Sequence, residues 1–88
     1  MDFDALLHHF FRTTDIDDLA PQAIEAGAER VRIAFGTETD VGRRFALWTI
    51  LHALGDAPEP ARAFKDAGLR RAAEHYARAA ARIDREGD

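Results

Sequence analysis

RVRIAF, residues 30–35, decides the fold class of this chain. Read with a period of two, Val31, Ile33 and Phe35 share one side against Arg30 and Arg32, as in a half-buried strand. Read with the helical period, Val31 and Phe35 join Ile24 and Ala28 on one face, and Ile33 falls off it. A strand needs a pairing partner, and no other segment of the chain alternates as well. The stretch therefore reads as helix, and the fold class as all-α.

The flanking sequence agrees. Asp18 reads as the N-cap of this helix, with Pro21 tolerated in its first turn. Gly36 reads as its C-cap. Ala20, Ala23, Gly27 and Ala34 form an edge of small residues beside the apolar face, which lets another helix approach closely. Upstream, Phe3, Leu6, Leu7, Phe10 and Phe11 repeat at i, i+3, i+4, i+7 and i+8, which predicts an amphipathic helix from Asp2 to Arg12. Downstream, Thr37 and Asp40 have the spacing of a capping box and precede an apolar segment that ends at Gly55. Pro58 and Pro60 limit the next stretch to a short turn, with Phe64 as its apolar plug. Asp66 caps a last helix whose buried stripe is expected to comprise Leu69, Ala72, Ala73, Tyr76, Ala80 and Ile83. The expectation is a single domain over residues 1–88. It is a compact all-α bundle of about four helices (2–12, 19–35, 39–54 and 67–85), with a helical turn near 60–65 and a frayed C-terminus.

Composition narrows the function classes. Of the 88 residues, 47% are hydrophobic, but 18 of these are alanine, so Phe, Leu and Ile carry most of the burial. A domain of this length buries only about 60–65% of its unfolded surface, so partners matter to its stability. Cysteine, serine and asparagine are absent. That excludes disulfides, thiolate metal sites, and serine or cysteine nucleophiles. Lys65 is the only lysine and follows no glycine-rich loop, so there is no Walker phosphate loop. No apolar run is long enough to span a membrane, and the start, MDFDALL, lacks a basic signal-peptide region. The expectation is a soluble, cytoplasmic protein with no membrane partner. Its alanine- and arginine-rich composition resembles GC-rich bacterial coding.

Charge is distributed unevenly. Residues 1–40 hold nine acids and three arginines, whereas residues 59–88 hold seven bases and six acids. The acidic front half disfavours non-specific nucleic-acid binding, which depends on neutralising phosphates.

The segment FALWTILHALG, residues 45–55, raises the functional question. At about 100° per residue its helix carries two apolar groups. Leu47, Ile50, Leu51 and Leu54 form one. Val41, Phe45, Trp48 and His52 form the other. An all-round apolar helix is either packed on most sides, with His52 half-buried, or packed on one side and docked on the other. We take Val41, Phe45, Trp48 and His52 as the candidate contact surface for a protein partner or a second copy of the chain.

The last helix adds a basic stripe of Arg71, His75, Arg78, Arg82 and Arg85, which reads as an electrostatic accessory. Glu74 and Glu86 lie within helical reach of these arginines, as on an ordinary solvated face. Nucleic-acid binding through Arg71, Arg78 and Arg82 is the alternative, and a small-ligand site beside His52 a third.

Other constellations fail on spacing. His8 and His9 diverge by about 100° on a helix and have no ligand at i±4. Asp15, Asp17 and Asp18 begin like a calcium loop, but Leu19, Ala20 and Ala26 stand where a ligand oxygen, a glycine and a glutamate are required. No catalytic motif is present, so no enzyme activity, cofactor or metal is expected. The sequence predicts a small protein-interaction domain, with self-association as one form.

Overall fold

A computed structural model describes residues 3–86, with side chains described through Ile83. Five α-helices and one 3-10 turn make up the described chain, and no strand occurs among the described residues. They are α1 (Phe3–Phe11), a 3-10 turn (Ile16–Asp18), α2 (Pro21–Thr37), α3 (Val41–Ala53), α4 (Pro60–Ala63) and α5 (Ala67–Glu86). RVRIAF lies within α2. Val31 and Phe35 are buried, whereas Ile33, the residue that broke the helical pattern, is 62% exposed. Among the described residues, no helix is long and apolar enough to cross a membrane. The chain divides into two units, Met1–Ala57 and Pro58–Asp88. The expected start at Asp2 and the frayed terminal Gly87 and Asp88 lie outside the described residues, as do the side chains of Arg85 and Glu86.

In the first unit, α2 packs against α1 and α3, and α1 also meets α3. Leu6, Leu7, Phe10 and Phe11 of α1 are buried, as are Ala28, Val31 and Phe35 of α2 and Leu47, Trp48, Ile50 and Leu51 of α3. The small-residue edge of α2 is used at one point: Gly27 is buried, and a Cβ there would overlap the Phe11 ring. Ala20 and Ala23, at the start of the same edge, are exposed.

Several helix ends differ from expectation, each for a local reason. Arg12 lies beyond α1 at φ 62, and its N–H donates to the His8 carbonyl. Asp18 does not cap α2. It lies in the 3-10 turn, which Asp15 caps by accepting from the Asp17 N–H. The N-cap of α2 is Ala20, with Pro21 at N1, where the missing N–H is no loss. The helix runs through Gly36 to Thr37, whose hydroxyl donates to the Ile33 and Ala34 carbonyls. Thr37 is thus engaged at the end of α2 and forms no capping box. Asp40 itself caps α3, its Oδ2 accepting from the Arg43 N–H at 2.8 Å.

The C-terminus of α3 closes at Gly55. The Gly55 N–H donates to the His52 carbonyl and the Asp56 N–H to that of Leu51, the two bonds of a Schellman motif. Gly55 takes φ +77, where a Cβ costs roughly 1–2 kcal/mol. Nothing lies within 4 Å of a Cβ built there, so backbone conformation alone sets the penalty. Gly55→Ala is accordingly expected to lower the urea midpoint by an amount corresponding to roughly 1–2 kcal/mol. An unchanged midpoint would remove the left-handed assignment.

In the second unit, α4 packs on α5. Pro60 opens α4 at N1, and Ala63 and Phe64 are buried, as the plug reading expected. Asp66 caps α5 by accepting from the Leu69 N–H at 2.9 Å.

Candidate functional site

The four residues singled out on the third helix occupy α3 at i, i+4, i+7 and i+11. The Phe45 and Trp48 rings are 5.9 Å apart, and the Trp48 and His52 rings 5.3 Å, so the row is a physical cluster. Its exposure is unequal. Trp48 is 1% exposed and Phe45 and His52 are half-buried, leaving Val41, at 53%, as the only widely exposed member. The row therefore offers a partner no continuous surface. Leu47, Ile50 and Leu51, the other apolar group, are buried too. Thr49, a polar residue among them, is also buried, and its hydroxyl donates to the Ala46 carbonyl at 2.7 Å.

Next to this core lies a cationic contact that sequence reasoning did not single out. The Arg44 guanidinium stacks 3.9 Å from the centre of the Phe35 ring, and its Nη1 donates to the Phe35 carbonyl at 2.6 Å. One side chain thus ties the end of α2 to α3. A second arginine acts similarly. Arg32 pairs with Glu25 at 3.3 Å and with Asp56 just past α3. The hydrogen bond to Glu25 is the largest influence raising its pKa above the ordinary value; Asp56 adds to it and desolvation opposes it. Such exposed pairs are screened by solvent and contribute little to stability. The Arg32–Asp56 pair left no signal in the sequence, because Asp56 is remote in the chain from Arg32.

The basic stripe is displayed differently. Arg71, His75, Arg78 and Arg82 are all exposed on α5. The expected buried stripe of this helix is corrected: Ala73 is buried, but Ala72, Tyr76 and Ile83 are exposed, Ile83 at 67%. A shallow groove is lined by His75, Arg78, Ala79, Arg82 and Ile83. Cationic side chains thus flank an uncovered apolar strip. The arrangement suits a ligand that has both apolar surface and negative charge.

His8 and His9 are both exposed, and the His9 ring packs edge-on against Phe10 at 4.9 Å. Among the described residues, no cluster of three His, Asp or Glu side chains could hold a metal ion. Comparison with protein-family models, with curated proteins and with solved structures finds no match for this chain.

Proposed function

We propose that this chain is a small, non-enzymatic protein-interaction domain and that α5 carries its docking face. The observation that supports this reading is Ile83, 67% exposed beside Ala79 and flanked by His75, Arg78 and Arg82. An aliphatic side chain left in water forfeits roughly 1.5–3 kcal/mol that burial against a partner recovers. Flanking arginines set which partner is accepted, because charge complementarity governs specificity and encounter rate. The fitting partner is an amphipathic helix with acidic flanks. The buried Trp48 assigns α3 a supporting role in this reading, with Val41 at its margin. We read the protein as a cytoplasmic one that works without a cofactor.

The test is fluorescence anisotropy with a labelled helical peptide carrying a leucine stripe and glutamate flanks. The wild-type chain is expected to bind it. Ile83→Asp is expected to weaken binding at least about tenfold, the loss of one well-buried contact. Duplex DNA at low salt is the parallel probe. Binding of DNA with no binding of the peptide would replace this reading with nucleic-acid recognition through Arg71, Arg78 and Arg82. Binding of neither probe would remove α5 as a docking face.

A further inference from the structure

We infer that His75 makes docking on α5 pH-dependent, tightening the hold on an acidic partner as the solution becomes more acidic. The inference rests on the reading of α5 just proposed and adds its regulation.

His75, Arg78 and Arg82 line the groove together with Ala79 and Ile83. Their order around the helix decides what each can do. At about 100° per residue, and with Ile83 as origin, Ala79 lies about 40° away, His75 about 80°, Arg82 about 100° and Arg78 about 140°, all in one direction. His75 thus borders the apolar strip, and the arginines stand behind it. A partner helix that covers Ile83 and Ala79 with its own apolar side chains brings its nearest acid to His75 first.

Arginine stays charged throughout the range in which proteins are folded, whereas an imidazole gains or loses its charge between about pH 5 and about pH 8. Arg78 and Arg82 therefore give the groove fixed positive charge, and His75 adds to it on acidification. The added charge lies where the partner's innermost acid sits. A carboxylate against an imidazole favours the imidazolium, so protonation and docking support each other.

The surroundings of His75 leave this role to the partner. On its own helix Arg71, Arg78 and Arg82 share its flank at i−4, i+3 and i+7, and the half-buried Glu74 is turned about 100° away. Within its unit, α4 is the element packed on α5, in a segment whose charged residues are Glu59, Arg62 and Lys65. That segment reaches α5 at Arg70, whose Nη2 donates to the Lys65 carbonyl at 3.1 Å. Arg70 lies about 140° around the helix from His75. Among the described residues, no carboxylate lines the groove.

Fluorescence anisotropy with the same leucine-and-glutamate peptide, at pH 5.5 and at pH 8, tests this. The peptide's glutamates titrate near about 4.3, below that window. The wild-type chain is expected to bind about fivefold more tightly at the lower pH, the scale of one exposed ion pair. His75→Gln is expected to bind equally at both, with the weaker wild-type affinity. His75→Arg is expected to bind equally at both, with the tighter one. His8, His9 and His52 remain in both variants, so a response of theirs would survive the substitutions. Circular dichroism at each pH checks folding; should His75→Gln lose helicity, His75→Arg decides alone.

A wild-type affinity that ignores pH overturns the inference, and so does a response that either variant retains. Each of these results, with the peptide still bound, leaves α5 as the docking face and removes only its regulation. A peptide that fails to bind at both pH values overturns the docking face and the regulation together.

Discussion

Trp48→Ala is expected to destabilise the first unit by about 3–5 kcal/mol, the range for truncating a large buried aromatic. The side chain is 1% exposed and sits between Phe45 and His52 on α3, beside the equally buried Leu47 and Leu51. The substitution removes the indole and leaves a void that Phe45 and His52, held on the same helix, can only partly fill. Small domains hold only about 5–15 kcal/mol in total, so a large share of the margin is lost. Urea unfolding followed by helical circular dichroism measures it, since Trp48 is the only tryptophan and its fluorescence disappears with it. Val41→Ala is the control: at 53% exposure it is expected to move stability by no more than about 0.5 kcal/mol. If Trp48→Ala folded as stably as the control, the indole would not be a core residue and the docking reading of α3 would return.

Gly27→Ala is the second large effect, and it has the opposite physical origin. Helix propensity alone favours alanine over glycine by about 1 kcal/mol. Here the new methyl would overlap the buried Phe11 ring, so α1 and α2 must separate or Phe11 must leave its rotamer. Overpacking of this kind costs about 1–3 kcal/mol, enough to outweigh the propensity gain. The diagnostic is a double-mutant cycle with Phe11→Leu. The smaller side chain makes room, so the Gly27→Ala penalty is expected to shrink or reverse sign in that background. Equal penalties in both backgrounds would mean that the ring is not what meets position 27. Gly36 lies in the same helix with nothing within 4 Å of a Cβ built there and shows the propensity effect alone.

These two positions also illustrate what the sequence could convey. The all-round apolarity of residues 41–54 was visible, and so was the choice between a core and a docking role for Trp48. Periodicity cannot make that choice, because burial depends on which helices lie alongside. The small-residue edge containing Gly27 was visible too, but not that Phe11 closes on it. Val31 and Phe35 were placed correctly because a helical face is a local property. Ile33 broke the pattern because it faces solvent, and an isolated aliphatic residue on a surface is ordinary. Helix ends were the least legible: Asp18, Thr37 and Gly36 are all good terminators in isolation, yet Asp15 and Asp40 formed the bonds and α2 ran on past Gly36. On α5 the stripe was recognised by its spacing, but a stripe of alanines describes helix propensity as much as burial. Only Ala73 of the expected residues is deeply buried.

That last feature has a thermodynamic consequence. A helix with a cap at Asp66, a run of alanines and little side-chain burial along its outer half draws more of its stability there from local propensity than from packing. On the docking reading proposed above, a partner that engages Ile83 and its arginines also holds those turns helical, and part of its binding energy is spent on ordering. Affinity at this face is coupled to helix content, so a substitution that stiffens the last turns without touching the partner will tighten binding, and one that loosens them will weaken it. On that reading, affinity is tuned from residues that never enter the contact.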